Sequence, residues 1–366
     1  MKLLLQNNIA SHYRAAIYQL MDRELGCDYC FGDKMMDIKK MDYTSLSGEV
    51  YEVQNVFFPH GYYQKGYIRM LWKRYDTFIM CTDTRCISAW LFLIVRKIFF
   101  PKKRVFAWGH GLLGKEGSLK TQLYKFQYKL LTGAFIYNER SRRIMIERGI
   151  PAQKLTTIFN SLDYDAQLPI RESLQTKPIY KEHFGNDNKN IVFIGRLTKV
   201  KRFDLLIDAV ALLKKRGEQV NVTFIGDGVE RQNMETLVET KGIKEQVWFY
   251  GACYDEKTNA ELIYNADLCV SPGNIGLTAM HVLMFGCPAI TNDDFNHQMP
   301  EFEAIEDGET GAFFRAEESK SLANAISRWF AEHGKNREIV RQACYRVMDG
   351  KWNPHNQIEI LKKVLL

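Results

Sequence analysis

Residues 190–217 read NIVFIGRLTKVKRFDLLIDAVALLKKRG. The first six, Asn190 to Gly195, are an apolar, β-rich run, and from Phe203 onward apolar positions recur at helical spacing until Gly217 closes the pattern. A short basic loop joins them into one βα unit. The scheme repeats: VNVTFIGDG precedes VERQNMETLVETKG, VWFYG precedes EKTNAELIYN, ADLCVSPG precedes LTAMHVLMFG, and CPAITND follows. Five strands alternating with helices predict an α/β fold with a parallel, doubly wound sheet, whose ligand crevice opens at the carboxyl ends of the strands.

Outward from that repeat, the first half follows the same scheme more loosely, through KLLLQ, CDYCF, VYEVQNVFF, TFIMCTD, RVFAWGHG, GAFIYN and LTTIFNS. A chain of 366 residues exceeds the size at which one hydrophobic core stops growing, so two domains are expected. The boundaries read as an N-terminal Rossmann-like domain over 1–165 and a C-terminal one over 190–345, with a cleft between them. Residues 166–189 are polar, hold two prolines and show no sustained period, and read as the inter-domain connection. The segment 346–366 ends in QIEILKKVLL, a tail helix expected to pack back on the body.

A composition of 46% hydrophobic and 25% charged residues is that of a globular protein, and 13% aromatic residues argue against disorder. The opening MKLLLQNNIASHYR has too short an apolar run for a signal peptide, and ISAWLFLIV (Ile87 to Val95) stops at Arg96 and Lys97, short of the ~20 residues a bilayer span needs. A cytoplasmic, soluble or peripheral chain is expected. The eight cysteines form no framework; Cys27 and Cys30 make a lone C-x-x-C without the second pair that a zinc site requires. The formal charge of +7 is uneven, because residues 60–150 hold 18 Lys/Arg against 5 Asp/Glu. Anionic lipid, a phosphate-bearing substrate and nucleic acid are the partners that such a half could take, beside a merely solvated surface.

The loop GRLTKVKRF, Gly195 to Phe203, leaves a strand and enters a helix, so its amides and the helix dipole point at the crevice. Arg196 and Lys201 add charge there. An Arg grips a diphosphate bidentately and a Lys supplies a point charge, which suits a departing nucleoside diphosphate; the alternative is two exposed basic residues on a loop. In WGHGLLG, Gly109, Gly111 and Gly114 make a formal G-x-G-x-x-G after a strand. It follows the fifth strand of its domain and lacks the acid about 20 residues on, so it is no dinucleotide fingerprint. Its useful member is His110, set between two glycines that allow close approach, either as a site residue or as a core histidine.

From Asn190 to Gly311 these motifs together resemble the donor-binding domain of the GT-B glycosyltransferases of glycosyltransferase family 4, the glycosyl transferases group 1 kind. GRLTKVK, FIGDG, FYG, ADLCVSP, GCPAI and PEFEAIEDGETGAFF fall in the family's order, and IFNSLD (Ile158 to Asp163) is similar to its strand-ending N-G-x-D. The resemblance implies a GT-B fold of two Rossmann-like domains facing each other across a cleft. It implies that Gly195, Arg196, Lys201 and Gly226 hold the donor diphosphate and that His110 stands beside the donor sugar. The turn Gly273, Asn274, Ile275, Gly276 and Leu277 would offer amides to sugar and phosphate, and Glu303 is the acid before the D-G-x-x-G segment. The loop carrying Asn8, Ser11, His12 and Arg14 would face the acceptor.

One stretch departs from the family. In SPGNIGLTAMHVLMFGCPAI, Ser271 to Ile290, aligning Gly286 and Pro288 with the family's G-x-P puts Gly273 and His281 where two glutamates belong. Retaining transfer in this family is held to let the leaving phosphate take the acceptor proton, so the loss would change donor recognition more than catalysis; an imidazole at 281 still makes one hydrogen bond to a ribose hydroxyl. The chain is therefore expected to be a retaining, hexosyltransferase-type enzyme. It would move a sugar from a nucleotide diphosphate donor to a glycan or lipid-linked acceptor, in capsule or lipopolysaccharide assembly at the inner face of a cell membrane. No metal, no other cofactor and no nucleic-acid partner is expected, Asp293–Asp294 being the nearest decoy for a metal pair. The rival readings are a nucleotide-sugar 2-epimerase, which uses cleft carboxylates for acid/base work, and a non-catalytic partner subunit of a transferase.

Overall fold

The computed structural model describes residues 1–36 and 38–366. The chain divides into two compact units, one of residues 1–164 with 353–366, the other of residues 165–352. The first holds strands β1 (Leu3–Asn7), β2 (Cys27–Gly32), β3 (Val50–Val53), β4 (Asn55–Phe58), β5 (Gly61–Gln64), β6 (Thr77–Cys81), β7 (Arg104–Gly109), β8 (Gly133–Ile136) and β9 (Leu155–Thr157). Its helices are α1 (Ala15–Leu25), α2 (Ile87–Phe99), α3 (Ser118–Leu130) and α4 (Glu139–Glu147). Seven strands make one parallel sheet in the order β3-β2-β1-β6-β7-β8-β9, and β4 with β5 forms a separate hairpin.

Alternation along each strand decides which layer a side chain joins. Leu4 and Cys30 enter the core on one face of the sheet, while Leu3, Leu5 and Cys27 enter the core on the other. The C-x-x-C pair is therefore split across the sheet by its odd spacing, and burial pushes both thiols up, Cys30 to about 12. VYEVQNVFF, read as one strand, is two: β3 pairs with β2, and after Gln54 the chain turns into the hairpin.

The second unit begins with α5 (Tyr164–Ser173) and α6 (Ile179–Phe184) and continues with β10 (Lys189–Ile194), α7 (Phe203–Lys215), β11 (Val220–Ile225), α8 (Arg231–Thr240), β12 (Val247–Gly251) and α9 (Glu256–Asn265). It ends through β13 (Leu268–Ser271), α10 (Thr278–Met284), β14 (Ala289–Asn292), β15 (Gly311–Phe314), α11 (Ser319–His333) and α12 (Arg337–Gly350). The parallel sheet runs β12-β11-β10-β13-β14-β15. Two expectations change here. The supposed connection over 166–189 holds α5 and α6, and Tyr180 of α6 is buried and donates to the Leu262 carbonyl at 2.7 Å; polar spacing hid helices that pack by one or two residues. The sheet also has a sixth strand, β15, which the strand–helix alternation does not mark because only a short 3-10 turn lies between it and β14.

The last helix, α13 (Pro354–Leu365), returns to the first unit and packs on α1. Asn353 caps it by accepting from the Asn356 amide at 2.8 Å, and Pro354 fills the first turn where no donor is needed. Its contact is held by burial of Ile358, Leu361 and Leu365, each worth about 2 kcal/mol, rather than by the Lys362–Glu24 pair at the surface, which water and salt screen.

Candidate active site

In each unit the strand order reverses once, between β1 and β6 and between β10 and β13. At such a switch point the loops leaving two neighbouring strands part in opposite directions and leave a crevice at the strands' carboxyl ends. In the second unit those are the loops after Ile194 and after Ser271.

The first of them is packed backbone to backbone. Gly195, at φ +138°, accepts the approach of Gly226, where a Cβ would lie 1.9 Å from the Gly195 carbonyl oxygen. The Leu197 amide donates to the Asp227 carbonyl at 2.9 Å, and the Glu230 amide to Leu197 at 3.1 Å. This fixes a loop on which Arg196 is exposed, with no ion pair or hydrogen bond among the described residues. Lys201 is half-buried: its Nζ donates to the carbonyls of Asn274 at 2.5 Å and Ile275 at 3.3 Å. Loss of solvent, reinforced by Arg196 and opposed by Cys269 and Glu301, lowers its pKa to about 8. One of its three donors remains for a ligand.

The second loop shows why the first family glutamate is missing. The Gly273 amide donates to the Lys201 carbonyl at 2.8 Å, and a Cβ at 273 would stand 2.0 Å from the Val200 oxygen. Only glycine fits against that backbone. The turn's expected amides are largely spent, because Asn274 N–H goes to Val200 and Ile275 N–H to the side chain of buried Gln298 at 3.0 Å. Those of Gly276 and Leu277, entering α10, have no partner among the described residues.

His281 is also committed. Its Nε2 lies 3.0 Å from Oε1 of Glu256, the first residue of α9, and Gln167 of α5 donates to the same oxygen at 2.8 Å. Burial would raise the Glu256 pKa, but hydrogen bonds and charge from His281 and Gln167 hold it below the usual carboxylate range. Through Nε2 the ring thus anchors a carboxylate that sequence reading missed, and Nδ1 is the nitrogen left for the ribose contact expected of His281. No signal in the segment DEKTNAE separates Glu256 from an ordinary first-turn acid. Glu303 is half-buried in a 3-10 turn, and the acid that acts on Lys201 is its neighbour Glu301, buried to 2% exposure.

In the first unit, His110 follows β7, with Gly111 at φ +69° and a notional Cβ there 2.5 Å from Met145 Sδ, so glycine is required. The imidazole packs against Tyr137 with ring centroids 5.0 Å apart, and its Nδ1 is buried without a hydrogen-bond partner among the described residues. Burial first, then the Arg14 guanidinium, lowers its pKa to about 4. Arg14 donates to Tyr137 Oη and lies over the Trp108 ring at 4.8 Å. The four predicted acceptor residues separate. His12 is exposed, with its amide donating to the Lys39 carbonyl; Asn8 is half-buried and its carbonyl accepts from Asn55 at 2.7 Å; Ser11 is buried to 3% and is unavailable to an acceptor. Arg14 joins His110 instead.

Among the described residues no three His, Cys, Asp or Glu side chains gather as metal ligands. Asp293 accepts from the Ala316 amide at 2.9 Å and Asp294 engages His297 at 2.7 Å, so each has a structural partner.

A lysine and an arginine thus stand at the switch point of the second unit, on glycine-packed loops. Residues 176–346 match the model of the family described as Glycosyl transferases group 1. That segment is similar to the group 1 glycosyltransferases. EpsD of Bacillus subtilis (strain 168) is 30% identical over 165 residues, 44% of this chain and 42% of that protein. The chain spans less than half the length of the curated relatives such as EpsD that it matches. Over its whole length it is similar in fold to Anabaena Alr3699/HepE in complex with UDP, at TM-score 0.71 and 16% identity, covering 100% of this chain and 99% of that one. It is equally similar to the lipopolysaccharide outer core galactosyltransferase WaaB in its apo form, at TM-score 0.71 and 16% identity, covering 100% of both chains. These are GT-B glycosyltransferases, and the two Rossmann-like halves described above are that fold.

Proposed function

We propose that this chain is a retaining glycosyltransferase that transfers a hexose from a nucleoside diphosphate to a lipid-linked glycan during assembly of a bacterial surface polysaccharide, at the inner face of the membrane. The observation that carries the reading is Lys201, half-buried beneath the turn after β13 beside an unpartnered Arg196. As the glycosidic bond to the diphosphate breaks, negative charge grows on the leaving oxygens. A fixed ammonium and an exposed guanidinium stabilise it more in the transition state than in the ground state. The binding of a diphosphate returns to Lys201 the stabilisation of charge that burial removed. Glu256, steadied by His281 and Gln167, presents a carboxylate suited to paired ribose hydroxyls. In the first unit, His110 is neutral at physiological pH and offers one hydrogen bond to a sugar hydroxyl. Similarity to EpsD and WaaB supports the setting, and the UDP bound to HepE makes UDP the first nucleotide to try.

The test is a thermal-shift screen with UDP, GDP, ADP and dTDP. One of them at a hundred times its dissociation constant should stabilise the protein by about 2.7 kcal/mol, and the stabilisation should fall to about half of that or less in Lys201→Ala. Production of an epimerised donor without acceptor would replace this reading with sugar epimerisation.

A further inference from the structure

The basic half of the chain carries an apolar surface that its own fold leaves uncovered. On α2, Ile87, Leu91, Ile94 and Ile98 recur at helical spacing and are exposed, while Phe92, Leu93 and Arg96 are turned into the core. On α3, Leu119, Leu123 and Phe126 form a second exposed stripe, with Leu119 at 76%. The helices pack together, and Trp90 of α2 stacks on Phe126 of α3 with ring centroids 6.0 Å apart, so the two stripes adjoin. At the far end of α2, Trp72, 64% exposed, meets Phe100 edge-on at 5.1 Å. Scattered apolar side chains are ordinary on a protein surface, but two adjoining stripes with a terminal Trp are not.

Charge says what covers them. Residues 87–130 hold nine Lys/Arg and one acid, Glu116. Lys97 stands about a quarter-turn from the stripe of α2, and Lys120 and Lys129 about a quarter-turn to either side of the stripe of α3. None of these three is in an ion pair among the described residues. α2, with 13 residues, is too short to cross a bilayer, and no described helix is long and apolar enough to do so. An apolar face bordered by lysines, with an interfacial Trp, matches a helix lying in the headgroup layer of an anionic leaflet.

We propose that the α2–α3 face is the surface on which this protein docks on an anionic bilayer, with Leu91, Ile94, Leu123 and Phe126 entering the acyl boundary and Lys97, Lys120 and Lys129 meeting lipid phosphates. This rests on the membrane part of the reading above and not on its donor chemistry. Flotation with vesicles of phosphatidylcholine, alone and mixed with phosphatidylglycerol, tests it on the full chain. Binding should need the anionic lipid and weaken with salt, and Lys97→Ala/Lys120→Ala/Lys129→Ala should lower the partition coefficient about a hundredfold, at about fivefold per lysine. Leu91→Glu/Leu123→Glu should abolish flotation, whereas Ile339→Glu, an exposed control in the second unit, should leave it intact. Nucleotide-induced thermal shifts on the same variants should match wild type, which shows that they fold and separates failure here from failure of the transferase reading. Equal binding to neutral vesicles, or flotation unchanged in the α2–α3 variants, would overturn the proposal. So would a dimer that Leu91→Glu dissociates without any vesicle binding by the wild type.

Discussion

The two units share one winding and differ in what they leave exposed. In the second, the helices bury their apolar residues except for a lone Ile339 on α12, and other exposed ones such as Val200, Val229 and Tyr254 sit singly on loops or short turns. In the first, whole helical faces stay apolar on α2 and α3 while lysines gather beside them. The second unit's switch point is closed by backbone contacts that only glycine permits; the first unit's is lined by the rings of Trp108 and Tyr137 around Arg14 and His110. On the two proposals above, the same fold would serve a small, highly charged ligand in one unit and an extended surface in the other. The chemistry lies in the loops and outer faces, which the winding does not determine.

The sharpest way to break that contrast is to remove the cations of the second unit. Lys201→Ala and Arg196→Ala should each reduce transfer at least about a hundredfold with the fold retained, since charge stabilisation of a leaving diphosphate is worth about 3 kcal/mol; steady-state kinetics and the melting curve together check this. Next is Gly273→Glu, which installs the family's acid. Its Cβ would collide with the Val200 carbonyl, so we expect no gain in activity and a Tm lower by about 6–12 °C, from about 3 kcal/mol of strain. A stable, more active Gly273→Glu would show that the loop yields where the structure has it rigid.

His281→Glu would set a second carboxylate against Glu256 and should raise the donor KM about tenfold or more, whereas His281→Gln, able to donate to Glu256, should stay within about threefold of wild type. The smallest effect sharpens the comparison between the two units by pH. Nucleoside diphosphate affinity should be level below about pH 8 and decline above it, because the lowered Lys201 pKa means that the ammonium is lost there and with it a charge on the ligand. His110 should show no protonation by NMR until the pH nears about 4.

Much of the fold was legible because strands of four to six mostly apolar residues, glycine turns and helical periods agree with one another over 190–292. What escaped did so for identifiable reasons. Only a short 3-10 turn lies between β14 and β15, so the strand–helix alternation does not mark β15, and α6 with six residues is too short to carry a period. In the candidate site, Arg196 and Lys201 stood out in the sequence because their loop leaves a strand and enters a helix, and Gly273 because it departs from the family's glutamate. Glu256 was not, because it joins His281 from 25 positions away, and nothing in a first-turn acid tells which side chain it will meet. Ser11 was misplaced for the opposite reason: a polar residue in a polar loop looks accessible until Lys40 pairs with it and buries it.

The central claim is that the switch point between β10 and β13 holds a donor diphosphate through Lys201 and Arg196. Calorimetric titration of wild type and of Lys201→Ala with UDP, GDP, ADP and dTDP tests it most directly. The account predicts that one of these binds wild type and loses at least about tenfold in affinity in the variant, the loss of one charge-assisted contact. A nucleoside diphosphate that binds both proteins equally well would contradict it.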